Sequence, residues 1–254
     1  MRTPRCPLAP ETEEEVDCGS YVRRLISYAA VEGARTPAYL CIPKQCLEEP
    51  PVRCPAVLCL HGTDNEVGHG TVVGLSDKEN RSYASELAER GFVTIAPSYP
   101  LLANYQLEPS DFGFDSGTMM AIWDNVRALD LLDSLPFVAN QTPARHQNGN
   151  GTDLPLDYYE FGNTDDPNSY QPGKYGVIGH SLGGHNSVYT SLFEPRIAAV
   201  VSSCGLDSYR DYMDGNVAGW TQTRYLPKLP LDIDEIPFVS PLLTFSPLQD
   251  QSSR

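Results

Sequence analysis

Apolar residues in this chain cluster into short unbroken runs separated by amphipathic stretches. Residues 56–60 (Ala-Val-Leu-Cys-Leu) are continuously apolar between Pro55 and His61-Gly62. A strand buried on both faces has this pattern. Residues 92–96, ended by Pro97, read as the next buried strand, as do 174–178, 197–201 and 242–245, with only Thr94, Lys174, Gly176 and Thr244 interrupting the apolar character. Residues 21–30 and 36–42 read as a strand pair turning at Glu32-Gly33. Helical spacing fills the gaps. Residues 82–90 form a short helix stopped by Gly91, and a further helix is expected near 182–192. The clearest helix is 115–134, where Met119, Ile122, Trp123, Val126, Leu129 and Leu132 recur at three- and four-residue steps and Asp115 or Ser116 can cap the start. Strands alternating with helices predict an α/β domain over 21–254, with a mostly parallel sheet and helices on both faces.

Two stretches break this rhythm. Residues 1–20 are acidic and lack apolar periodicity, so a flexible N-terminal arm is expected. Residues 137–173 are dense in Asn, Gly, Pro and Asp and are too long for an ordinary crossover. They read as an insert, either a lid or a surface excursion, whose Tyr158, Tyr159, Phe161 and Tyr170 imply some packing.

Composition narrows the function. At 254 residues and 41% hydrophobic the chain can bury a full core, and a net charge of −15 excludes a nucleic-acid partner for want of a basic stripe. The N-terminus has early arginines but no apolar segment after them, so neither a secretory signal nor a membrane partner is expected. Seven cysteines, an odd count without an export signal, point to reduced thiols and a cytoplasmic setting. Cys41 and Cys46 have loose metal-like spacing but no second Cys/His pair nearby, so no metal and no other cofactor is expected.

The chemistry centres on Gly179-His180-Ser181-Leu182-Gly183-Gly184. It satisfies G-x-S-x-G and lies between an expected strand and an expected helix. A sharp strand-to-helix turn lifts the serine hydroxyl above the sheet, and side chains two residues away on either side would collide with the turn. Ser181 is therefore the candidate nucleophile. The oxyanion hole falls to the amide of Leu182 and to Thr63, in the loop after residues 56–60. His61, at a strand end beside glycine, reads as a loop anchor and not as a proton carrier.

These motifs, with the residues 86–92 lead-in to a strand and the 115–134 helix, resemble the dienelactone hydrolase-like, acetyl xylan esterase-like branch of the α/β-hydrolases. The resemblance runs from about Tyr21 to about Asp250, apart from the insert. It implies an α/β-hydrolase fold and a serine hydrolase of a small carboxylic ester. It also implies a triad acid after the serine, best met by Asp250, with Asp207 as runner-up. The family's histidine would follow the acid, yet His61, His69, His146, His180 and His185 all precede Asp250. The expectation is thus a chain truncated at its C-terminus, with the last strand and helix of the fold missing. Two readings stay open beside a truncated serine esterase, from which little turnover is expected. One is an inactive hydrolase-fold protein that binds a small-molecule ester or another ligand. The other is an interaction module pairing through the exposed sheet edge. Oligomeric state is left open.

Overall fold

In the computed structural model, which describes residues 5–139 and 174–205, seven strands join in one mixed sheet. In chain order they are β1 (Glu11–Asp17), β2 (Tyr21–Val31), β3 (Ala34–Pro43), β4 (Ala56–Leu60), β5 (Val93–Pro97), β6 (Tyr175–His180) and β7 (Ile197–Ser203). Three α-helices accompany them among the described residues: α1 (Tyr83–Glu89), α2 (Gly117–Ser134) and α3 (Leu182–Phe193). Across the sheet the order is β1-β2-β3-β5-β4-β6-β7. Strands β1 to β3 and the β3/β5 pair run antiparallel, whereas β5, β4, β6 and β7 are mutually parallel.

The unbroken apolar runs have a direct cause. Ala56, Leu58 and Leu60 of β4 enter a core closed by Ala128, Leu129 and Leu132 of α2 and Val188 of α3. Cys59, one step out of phase, enters a second core with Ala84 and Ala88 of α1. β3 divides in the same way, with Leu40 and Ile42 on one side and Cys41 on the other. A strand covered on both faces needs an apolar residue at every position. Leu58 and Ile95 are fully excluded from solvent, and each such burial contributes about 1.5–3 kcal/mol.

Helix α2 starts where Ser116 accepts a hydrogen bond from the Met119 N–H at 3.2 Å. Its buried face departs from the expected stripe, because Met119 is exposed and Met120 is fully buried. The helix is enclosed on more than one side, so polar residues are buried along it as well. Asp124 is held by Thr36 and Tyr105, and Asn125 donates to Asn186 and Thr190.

The expectation of an arm without regular structure over residues 1–20 is corrected by β1. Glu11 through Asp17 pair with β2, with Glu11 opposite Ser27 and Val16 opposite Arg23. Almost every β1 side chain is exposed, so no hydrophobic pattern announces the strand. Backbone bonds and three ion pairs, Arg24–Glu15 at 2.7 Å, Arg35–Glu11 at 3.2 Å and Lys44–Asp17 at 2.8 Å, hold it. Glutamates along a sheet edge also discourage further strands from adding. Residues 140–173 of the insert and the strand expected at 242–245 lie outside the described residues. Among the described residues no helix is long and apolar enough to cross a membrane.

Candidate active site

The parallel half of the sheet changes winding direction at β4. The chain leaves β4 for β5 on one side and returns to β6 on the other. In open α/β sheets such a reversal leaves a crevice beyond the carboxyl ends of the strands. At that crevice β4 runs out into His61-Gly62-Thr63 and β6 runs out into Ser181. The two strands are in register up to Leu60 opposite Gly179.

Ser181 occupies the turn between β6 and α3 with φ 54° and ψ −120°. A non-glycine residue in this region costs on the order of 1–3 kcal/mol and persists only where its surroundings impose it. They do so here. The Ser181 N–H donates to Ser203 O at 2.7 Å, and Ser181 O accepts from the His185 N–H at 2.9 Å. Glycines allow the turn to close. A Cβ on Gly179 would stand 2.2 Å from the carbonyl of Gly183, and one on Gly183 would stand 2.0 Å from Leu60 O. The spacing of the motif is therefore a steric requirement of the turn.

Leu182 opens α3, with its side chain buried against Tyr99, Leu102 and Ala121. The first amides of a helix have no acceptor within it and lie at the positive end of its dipole. The loop after β4 passes alongside. A Cβ on Gly62 would be 3.1 Å from His180 O and 3.5 Å from Ser181 Cβ. Thr63 follows, exposed to solvent. The structure thus brings Ser181, Leu182 and the Thr63 loop to one place. Asp250 and Asp207, the expected acids, lie outside the described residues, as does His146.

His61 is an anchor. Its Nε2 accepts the Tyr99 N–H at 3.0 Å, which leaves Nδ1 to donate to Gly62 O at 2.8 Å. Burial pushes its pKa down to about 4, so the ring is neutral. His180 Nδ1 meets Ser203 Oγ at 3.2 Å. His185 stacks on Tyr189 with ring centroids 4.5 Å apart, and burial lowers it to about 4. His69 is buried in a 3-10 turn over Gly68–Val73, packed on Tyr39. Among the described residues, none of these histidines hydrogen-bonds to Ser181 Oγ.

The sequence reading did not find Asp64. Its buried carboxylate accepts from Glu66 N–H at 3.0 Å, Val67 N–H at 2.8 Å, Thr71 Oγ1 at 2.9 Å and Lys78 Nζ at 2.7 Å. Burial alone would raise its pKa. The Lys78 ammonium and the two amides outweigh that and hold it well below the ordinary carboxylate range. An aspartate followed by polar residues after a strand end signals a side-chain-closed turn, but nothing local points to Lys78.

No family model and no curated protein matches the chain. Solved structures do. Glucuronoyl esterase from Solibacter usitatus superposes with a TM-score of 0.56 at 15% identity, over 96% of this chain and 69% of that one. Acetyl xylan esterase from Paenibacillus sp. R4 gives 0.54 at 14% identity, over 88% and 64%. Acetyl xylan esterase 1 from Thermoanaerobacterium sp. gives 0.51 at 17% identity, over 87% and 60%. The chain has the α/β-hydrolase fold. At these identities the likeness is one of fold, and the α/β-hydrolase sheet, with antiparallel strands leading into a parallel half, carries it. The chain spans less than two thirds of the length of either acetyl xylan esterase.

Proposed function

We propose that the chain is a serine hydrolase of a small carboxylic ester, with Ser181 as nucleophile and the amides of Leu182 and Thr63 as oxyanion hole. The observation that carries this reading is the Ser181 backbone, held at φ 54° where β6 meets α3 at the switch point of the sheet. In the proposed step Ser181 Oγ attacks the ester carbonyl carbon and gives its proton to a base. The carbonyl oxygen becomes an oxyanion between the two amides, the alcohol leaves, and water then cleaves the acyl-serine. The three structural neighbours are all esterases, which favours an ester over an amide substrate. Asp250 is the proposed acid of the triad, with Asp207 as the other candidate. A cytoplasmic setting belongs to the same reading, since all seven cysteines are free thiols.

A second reading, a hydrolase-fold binding protein with little turnover, is favoured by the histidines. His61 has both ring nitrogens committed to backbone groups, and His180 is turned to Ser203. A serine without a base retains only the residual rate that oxyanion binding gives.

The test is labelling with a fluorophosphonate probe, followed by mass spectrometry of the Ser181 peptide, beside hydrolysis of p-nitrophenyl acetate. Label on Ser181 that is lost in Ser181→Ala is the expected result, and label confined to other residues would refute the nucleophile. Labelling without turnover above buffer selects the binding protein over the esterase. Turnover that titrates near neutral pH and vanishes in His61→Ala would overturn the anchor role of His61.

A further inference from the structure

We infer that Asp64 and Lys78 form a positioning pair that holds the Thr63 amide against Ser181 and cancels a negative charge that would oppose the oxyanion. The inference rests on the proposed roles of Ser181 and Thr63, and it goes beyond them to what sets the strength of that hole.

Thr63 sits between two fixed points. Before it, His61 ties the Gly62 carbonyl to its own ring and the ring to the Tyr99 amide. After it, Asp64 closes the turn through the amides of Glu66 and Val67 and fastens the loop to Thr71. These are all short, well-formed bonds, and with Lys78 they occupy both carboxylate oxygens. A shift of the Asp64 turn would be passed to Thr63 through one peptide unit, while Gly62 stays packed beside Ser181 Cβ.

The charge matters as much as the geometry. Asp64 is buried and next in sequence to the proposed oxyanion donor. An uncompensated carboxylate there would raise the energy of a developing oxyanion far more than it would disturb a neutral ester. Lys78 Nζ, at 2.7 Å, converts that charge into a pair. Its side chain is 51% exposed, so the cation reaches in from solvent and its effect is open to screening by salt. Removing the cation should therefore weaken the transition state and leave ground-state binding alone.

The experiment measures fluorophosphonate inactivation of the full chain, separating the rate constant at saturation from the half-saturating concentration. Ser181→Ala supplies the baseline. Lys78→Met should lower the saturating rate about tenfold with an unchanged half-saturating concentration, and Lys78→Arg should restore it to within about twofold. Asp64→Asn, which keeps an acceptor for the two amides and removes the opposing charge itself, should keep at least the rate of the unaltered chain. Rising salt should bring the unaltered chain toward Lys78→Met. Lys78 is exposed, so its variants keep the test open even where Asp64→Asn fails to fold. A Lys78→Met rate equal to that of the unaltered chain, or a loss confined to the half-saturating concentration, would overturn the positioning pair alone. Equal labelling of the unaltered chain and Ser181→Ala would overturn the nucleophile and, with it, the pair.

Discussion

Replacing Gly183 by alanine probes the packing that forms the Ser181 turn. The added Cβ would lie 2.0 Å from Leu60 O, 2.6 Å from Leu60 C and 2.7 Å from His61 O. An ordinary carbon–oxygen contact is about 3.3 Å, so α3 and the end of β4 would have to separate by about 1.3 Å. The obstacle is backbone on both sides, and Leu60 O is further held by the Tyr83 hydroxyl. Overpacking of a flexible core costs about 1–3 kcal/mol, and this contact has less room to relax. A loss of about 3–4 kcal/mol is expected, a size reserved for a few defined mechanisms. Gly176→Ala is the control. Its Cβ would meet only Val57, at 3.5 Å, and the alanine should be neutral or stabilising by about 0.5 kcal/mol. Urea unfolding followed by far-UV circular dichroism gives both values from midpoints at constant m. Two variants within about 1 kcal/mol of each other would refute the idea that the approach of α3 to β4 frames the turn.

Two further predictions concern pH. Burial pushes the Asp124 carboxyl up to about 7, against the lowering effect of hydrogen bonds from Thr36 and Tyr105. Its folded pKa lies above the unfolded value of 3.8, so stability falls as pH rises between those values and then levels off. Asp124→Asn removes this titration, and its stability relative to the parent should grow across that window by an amount on the order of a few kcal/mol; a flat difference would refute it. The buried histidines act in the opposite sense. Burial holds His61 and His185 at about 4 and His69 at about 3, against 6.5 when unfolded. The stability they contribute is complete above 6.5 and is lost as pH falls toward 4. Acid titration of the parent chain checks this, and a stability unchanged from pH 7 down to pH 4 would contradict it.

The central strands β4 and β5 were legible because burial on both faces leaves a mark at every residue, whereas β7 is as apolar in sequence over 197–201 but leaves Ala198, Ala199 and Val201 exposed. Residues 56–60, for instance, coincide with β4. β1 was not legible, since backbone pairing and exposed ion pairs hold it and neither leaves an apolar pattern. α2 was legible as a helix but not in its face, because a helix enclosed on several sides has no single stripe, and Met119 and Met120 exchange roles. At the site, Ser181 and its glycines could be read because their constraint is local and steric. Asp64 could not, because Lys78 is 14 residues further along the chain and only the folded loop joins them.

The register of β4 with β6 has a thermodynamic consequence. Leu60 lies opposite Gly179, so the gap between the Thr63 loop and Ser181 opens two or three residues past a paired rung. That gap is fixed by ladder bonds in the middle of the sheet, and surface loops have little say in it. Strands this central usually open only when the whole domain does. The mouth of the crevice should therefore melt as one cooperative unit with the core. Deuterium should then enter the amides of the β4/β6 ladder, up to the Leu60–Gly179 rung, only at the rate of global unfolding.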